Sequence, residues 1–326
     1  MTLRGLGTQV AWGIWPALAS ERGKQAWEAV APAQRSGGLP AAVGRRVPRR
    51  PTAPAADTPP CGRGTPRPPG GVRLSRSSVR PLEQRQSGMK NQYFGDVNDY
   101  RKYGLLRCLA GAGLAIGVCW LLTEDERKGD GELREYLAKP SRWRRYDLDL
   151  YDRLQRLAEP GVRRTVRHAA DWGLIPGATY FDEWLTDPQD PRDAYFTAAF
   201  TALAGTDLIF FDPDVGIEVP SKPRGRRGSS GYVYWSELRK AYGNGHSVLV
   251  YQHYPHVDRA RFVPFLAHCL SEELRAPSVA AFITAHVVFF VVQQSTHRTA
   301  FQEAGALVDS RWRGQIDVWR QTGGAV

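Results

Sequence analysis

The sequence predicts an α/β fold with a largely parallel sheet, helices on its faces and an antiparallel hairpin at its C-terminal edge. Three runs carry this prediction: residues 117–123, 207–211 and a third that begins at residue 247. Each run is almost entirely apolar, as is typical of parallel strands buried on both faces. Helical patterns separate the three runs, and two adjacent strands follow near the end of the chain. This alternation favours a parallel sheet closed by a hairpin.

Charge is distributed unevenly along the 326 residues, which include 44 Lys and Arg against 33 Asp and Glu. Residues 1–88 hold 14 of the basic and 4 of the acidic residues, so 30 basic and 29 acidic residues remain in 89–326. A general nucleic-acid-binding domain normally carries its own basic field. The balance therefore disfavours that class for residues 89–326 but leaves room for a local basic patch.

Residues 1–88 are predicted to be a disordered basic extension, rich in Pro, Gly and Arg. They hold 12 of the 23 prolines and show no sustained helix or strand period. Ordered-looking sequence begins at Met89, one of two methionines, so our hypothesis is that Met89 is the natural start. An organelle transit segment and a basic RNA-binding tail are the alternatives. Residues 89–326 are expected to form a single α/β domain.

The four cysteines are widely spaced and form no C-x-x-C pair, so neither a zinc site nor a disulfide framework is predicted. This spacing fits a reducing, cytoplasmic compartment. No apolar run approaches the roughly 20 residues needed to span a bilayer, so no membrane partner is expected.

The strand at 207–211 is followed by a turn with three acidic residues, Asp212, Asp214 and Glu218. Pro213 ends the strand and Gly216 frees the backbone, so the carboxylates should gather at the carboxyl end of the strand. Ligands bind there in open α/β sheets. Three carboxylates on one turn repel each other unless a cation or a shared proton intervenes. Asp-Pro-Asp-x-Gly is also ordinary turn chemistry, and that interpretation stays open.

Other polar residues are expected at the same edge of the sheet. A helix over about 99–110, capped by Asp96 or Asn98, presents Asp96, Asp99 and Lys102 along one stripe. The strand at 247 ends near His253. The strand at 117–123 ends in Thr123, Glu124 and Asp125, which either contact a ligand or belong to a solvated connection.

A basic loop follows the acidic turn and contains Arg224, Arg226 and Arg227 among Gly and Ser. Such a loop can hold phosphate through its side chains and backbone N–H groups. Flexible basic loops without a ligand are equally familiar.

The order of elements resembles the second half of class I S-adenosylmethionine-dependent methyltransferases, in which an Asp-Pro-Pro-Tyr-type turn follows the fourth strand and the last two strands form a hairpin. The stretch from 95 to 107 and the pair Tyr254-Pro255 look like features of the adenine-N6 methyltransferases of large-subunit ribosomal RNA. The chain also resembles an uncharacterised bacterial family with Tyr-Phe-Gly-Asp and Phe-Phe-Asp-Pro-Asp motifs. Asp214 and Val215 stand where the methyltransferases have Pro-Tyr.

The resemblance implies a methyltransferase-like enzyme that acts on a nucleic acid or nucleotide with S-adenosylmethionine as its cofactor. Asp212 and Pro213 would engage the target amino group, and Thr123, Glu124 and Asp125 would approach the methyl donor. Asp214, Lys102 and His253 would complete the catalytic cleft.

Two alternatives remain. The first is an Mg²⁺- or Mn²⁺-dependent phosphoester hydrolase that binds metal through Asp96, Asp212, Asp214 and Glu218. The additional acid at position 214 favours it. The second is a non-catalytic binding module.

Overall fold

The computed structural model describes residues 90–124 and 133–321, and every structural statement below concerns these residues. The predicted extension over 1–88 and the candidate donor residue Asp125 lie outside them. The strands are β1 (Ile116–Cys119), β2 (Thr179–Phe181), β3 (Leu208–Phe211), β4 (Gly216–Ile217), β5 (Tyr232–Val233), β6 (Ser247–His253), β7 (Val279–Ile283), β8 (Val287–Val292) and β9 (Asp317–Arg320).

Seven of these strands form one sheet in the order β2-β1-β3-β6-β8-β7-β9. The first four are parallel to one another, while β8 is antiparallel to both β6 and β7, and β9 is antiparallel to β7. β4 and β5 make a separate, short parallel pair. The predicted fold class, a largely parallel α/β sheet with an antiparallel C-terminal edge, is confirmed.

The first helix precedes β1, the others lie between strands along the chain, and together the helices cover both faces of the sheet. They are α1 (Val97–Gly111), α2 (Pro140–Trp143), α3 (Leu148–Gln155), α4 (His168–Asp171), α5 (Gln189–Ala202), α6 (Trp235–Gly243), α7 (Arg259–Leu274) and α8 (Arg298–Arg311). Short 3₁₀ turns occur at Asn91–Tyr93, Glu135–Ala138, Arg156–Ala158, Ser229–Gly231 and Ser295–His297.

Two hydrophobic cores lie on opposite faces of the sheet. Phe210 belongs to the core that includes side chains of α1, α3 and α8, whereas its neighbour Phe211 belongs to the core of α5, α6 and α7. This alternation follows from the two-residue period of a strand. Asp212, two positions after Phe210, is therefore expected on the α1 face, and its contact with that helix agrees.

Several boundaries differ from the sequence prediction. β1 ends at Cys119 because Leu121 has a left-handed φ of 48° and donates its N–H to the Tyr195 hydroxyl instead of a ladder partner. The described part of the charged stretch 132–172 forms only short helices and 3₁₀ turns instead of one long helix, and Leu148 is 55% exposed. Helix α8 and strand β9 were not predicted.

Cys108, Cys119 and Cys269 are buried free thiols. In the ranges given above, no helix has both the length and the apolar character needed to cross a bilayer.

Candidate functional site

The first wall of the candidate site is the start of α1. The Asp96 carboxylate caps this helix by accepting hydrogen bonds at 2.8 Å from the N–H groups of Asn98 and Asp99. The Asp99 carboxylate accepts the Gly95 N–H at 2.8 Å, which fixes the chain as it enters the helix. Lys102 follows one turn later on the same face. The local sequence thus fixes the polar stripe expected from its three-residue steps.

Lys102 joins this helix to the acidic turn after β3. Its ammonium donates to Asp212 Oδ2 at 2.6 Å and lies 2.7 Å from Asp99 Oδ1. Its side chain and both carboxylates are at most 4% exposed. Burial alone would lower the pKa of Lys102, but the two carboxylates outweigh it and raise that pKa. The ammonium is therefore charged, and it offsets part of the repulsion expected from the sequence.

Three aromatic rings surround the same ammonium group. Its nitrogen lies 5.3 Å from the ring centroid of Trp120 and 5.7 Å from those of Tyr103 and Tyr251. Rings at such distances favour a cation and restrict its movement. The cation is thus held between the carboxylates and these rings.

Acidic groups outnumber the lysines at this site. We define the acid cluster as Asp96, Asp99, Asp212 and Asp214 around Lys102. Burial is the main cause that raises the pKa of Asp96 to about 7 and the pKa of Asp212 to about 6, and Asp99 adds to both. Carboxylates with pKa values near neutrality can exchange protons at physiological pH, a property that clusters at functional sites.

The Tyr251 ring borders the acid cluster, with its centroid 5.7 Å from the Lys102 nitrogen. Burial raises the pKa of Tyr251, and all four carboxylates raise it further, in the order Asp212, Asp96, Asp99 and Asp214. The hydroxyl lies 3.2 Å from His253 Nε2. Negative side chains from α1 and from the turn after β3 therefore converge on the end of β6.

The Asp-Pro-Asp turn is fixed against the end of β6. Gly216 has a φ of 142°, and a Cβ there would come within 2.2 Å of Gln252 Oε1. This close approach lets Gln252 Oε1 accept the Ile217 N–H at 2.9 Å, while the His253 N–H donates to the Val215 carbonyl. Glycine is thus required for the contact. The imidazole of His253 also bonds to the backbone of Asp214, and partial desolvation of the ring lowers its pKa although the residue is exposed.

The residues expected to meet a donor lie just after β1. Thr123 is 1% exposed, and its buried hydroxyl has no hydrogen-bond partner among the described residues. Glu124 is exposed. An unpaired buried hydroxyl costs free energy, which makes it a natural contact for a ligand.

Glu218 and Arg224 point to other parts of the molecule. Glu218 accepts the Trp235 N–H at the start of α6, and burial raises its pKa. Arg224 lies 2.5 Å from Asp193 and 3.0 Å from Glu237, on helices of the opposite face. Arg226 and Arg227 are exposed in the same loop. Phosphate contact by these three arginines stays a prediction.

Glu237 also binds Arg192, which is fully buried. Arg192 donates two bonds to this carboxylate and others to the carbonyls of Ser229 and Tyr232. We call Arg192, Glu237, Arg224 and Asp193 the arginine network.

The carboxylates named for a metal site do not assemble in that way. Across 90–124 and 133–321, no group of three or more His, Cys, Asp or Glu side chains is arranged to hold a metal ion. Lys102 occupies the position between Asp99 and Asp212, and Glu218 caps α6 instead. The acid cluster is therefore neutralised in part by an ammonium group of the chain itself.

Sequence reasoning missed two members of the site. Tyr251 shares the strand face of Leu249, so the two-residue period of β6 was the available signal. Lys90 is 2% exposed and lies 3.9 Å from Asp214, and it had no local signal in the sequence. His286 is exposed in the turn between β7 and β8.

Comparisons with known proteins add little to this geometry. No family model matches the chain, and no curated protein matches it. One similar solved structure is the crystal structure of protein LPL1258 from Legionella pneumophila str. Philadelphia 1, described with the family model DUF519. The match covers 71% of this chain and 98% of that one, with 13% sequence identity and a TM-score of 0.37.

Proposed function

We propose that this chain is an S-adenosylmethionine-dependent methyltransferase that acts on an amino group of a nucleotide or nucleic acid. The observation that carries the proposal is the buried contact between Lys102 and Asp212. The resemblance described above assigns the stretch 95–107 and the Asp-Pro turn to one cleft, and this contact supports that assignment. It lies at the carboxyl end of parallel strands, where open α/β sheets bind ligands.

Asp212 is suited to engage an amino group. Its carboxylate accepts a hydrogen bond from the amino N–H, which orients the nitrogen lone pair for attack. Lys102 fixes the carboxylate through Oδ2. After transfer the nitrogen must lose a proton, and a carboxylate with a pKa of about 6 can take it. The exposed His253, beside Tyr251, offers a path from there to solvent.

The residues after β1 fit the polar end of a methyl donor. The buried Thr123 hydroxyl has no hydrogen-bond partner within residues 90–124 and 133–321, and the exposed Glu124 can accept hydrogen bonds from a ribose. When bound, S-adenosylmethionine supplies an electrophilic methyl group. The protein contributes orientation and a site largely closed to water.

Calorimetric titration of the full chain separates the candidate functions. Binding of S-adenosylmethionine without added metal is expected, followed by transfer of a tritiated methyl group to bulk RNA from cells that lack the gene. Binding of Mn²⁺ without binding of the donor would replace the proposal with phosphoester hydrolysis. If neither ligand binds, a non-catalytic binding role takes its place.

A further inference from the structure

Beside the acid cluster, a set of arginines lies against aromatic rings. We define the arginine rim as Arg101, Arg142, Arg145 and Arg259. Arg101 and Arg142 lie 5.4 and 5.6 Å from the ring centroid of Trp143. Arg145 lies 5.0 Å from the ring of Tyr146, and Arg259 lies 4.1 Å from that of Tyr254. Three of the four arginines are exposed, and Arg101 is 7% exposed.

The arginine rim borders the candidate site. Arg101 directly precedes Lys102 in α1. The register of β6 with β8 pairs His253 with Val287, so the turn that contains His286 lies at the site edge of the sheet. Partial desolvation of its ring lowers the pKa of the exposed His286, and the charges of Arg101 and Arg259 lower it further. Arg259 also donates to the Ala285 carbonyl of this turn at 3.0 Å.

Two of the exposed rim arginines, Arg142 and Arg145, differ from their neighbour Arg144 in their ion pairing. Arg144 forms a two-bond contact with the Asp152 carboxylate at 2.6 and 2.7 Å. Arg142 and Arg145 make no ion pair with any other described residue, and Arg145 donates to the Tyr146 hydroxyl at 3.0 Å. Stacking on a ring holds a guanidinium group in one orientation before any ligand binds, but it does not neutralise the positive charge of that group. Such groups are prepared to bind an external anion.

We infer that the arginine rim holds the phosphate backbone of a single nucleic-acid strand whose target base enters the acid cluster. This inference rests on the proposed function and names its substrate class. The charges match such a ligand: carboxylates at the centre suit an amino group, and guanidinium groups around it suit phosphates. The rim arginines come from α1, α2, α7 and the residues next to them. A ligand with several phosphates fits this distribution better than a free nucleotide.

A single strand is favoured over a duplex. Asp96, Asp99 and Asp212 are buried and Asp214 is 24% exposed, so a base can approach the acid cluster only when it is unstacked and unpaired. The near balance of charge in residues 89–326 agrees with a local contact surface rather than a basic field over the whole domain.

Fluorescence anisotropy with labelled single-stranded RNA of about 20 nucleotides tests the inference in the full chain. The double variant Arg142→Gln/Arg145→Gln is compared with Arg144→Gln, so the basic residues 1–88 are identical in every sample. We expect Kd to rise about tenfold in the double variant and the salt slope of log Kd to fall by about 1.4, because each phosphate contact on a single strand contributes about 0.7. Arg144→Gln should bind like the parent chain.

Equal binding by the double variant and the parent chain would overturn the inference, as would an equal loss in Arg144→Gln. No binding by the parent chain, or equal competition by free nucleotide, would overturn it as well. Ultraviolet cross-linking should place the RNA on a peptide that includes Arg142 and Arg145, and cross-links confined to residues 1–88 would contradict this. Calorimetry with S-adenosylmethionine reports separately on the proposed function, since these arginines lie outside the donor-contacting residues.

Discussion

Two charge clusters on opposite faces of the sheet differ in how completely their charges are matched. In the arginine network, Arg192 and Arg224 face Glu237 and Asp193, and Arg192 also donates to two carbonyl groups. In the acid cluster, four carboxylates share the charges of Lys102 and Lys90, and two of them have raised pKa values. A matched network stabilises structure, whereas an excess of buried carboxylates costs stability and is more typical of a functional site.

The largest effect is expected from removing the acid at the centre of the proposed chemistry. Asp212→Asn should reduce methyl transfer by about 10²- to 10⁴-fold, the usual contribution of a positioned acid or base. Its free energy of unfolding should change by less than about 1 kcal/mol, because Lys102 still forms its ion pair with Asp99 and the acid cluster loses one negative charge. Transfer assays and urea unfolding measure the two quantities. A large loss of stability would assign Asp212 a structural role instead.

Removing the Lys102 cation should reveal how much the excess of carboxylates in the acid cluster destabilises the folded chain. Lys102→Met leaves buried carboxylates unpaired and should cost about 3–5 kcal/mol at pH 8. The loss should shrink towards pH 5, because Asp212 and Asp96, with pKa values of about 6 and 7, take up protons in the folded chain and no longer repel each other. Urea unfolding at several pH values provides the measurement. A loss that does not depend on pH would argue against the acid excess.

The same experiment on the matched network should give a different pH profile. Arg192→Met should cost about 3 kcal/mol, because Arg224 is then the one cation left beside the Glu237 carboxylate among the described residues. Since no acid excess is present, the loss should be constant from pH 5 to 8. The control is Arg239→Met, which removes an exposed pair with Glu273 and should cost less than about 1 kcal/mol. Equal losses in the two variants would show that burial of the pair is unimportant.

The smallest effect concerns the N-cap of α1. The folded chain binds a proton at Asp96 with a pKa of about 7 against 3.8 for the ordinary group, so this group lowers stability as pH rises from about 4 to about 7. Asp96→Asn keeps a capping oxygen and should gain roughly 1 kcal/mol at pH 8 with a flatter profile.

Asp258→Asn is the matched cap control, because Asp258 caps α7 from an exposed position. Thermal unfolding at pH 5 and pH 8 compares the two variants. A stability loss in Asp96→Asn at pH 8 would contradict the raised pKa.

Local patterns predicted most of the sheet and part of the site. The apolar runs located β1, β3 and β6, and the three-residue steps from Asp96 to Lys102 predicted a polar stripe on α1. The pairing of Lys102 with Asp212 joins residues separated by 110 positions, and no local pattern encodes it. The same limit explains Arg224, because its partners Asp193 and Glu237 become neighbours only when α5 and α6 pack.

The order of the strands has a consequence for synthesis of the chain. β8 lies between β6 and β7, so the backbone of β6 lacks its second neighbour until residues 287–292 have left the ribosome. Until then the nascent chain exposes an apolar open edge, a feature that recruits other strands and promotes aggregation. Any chain that terminates before β8 should therefore accumulate as insoluble material or be degraded, even though every residue of the acid cluster has already been translated.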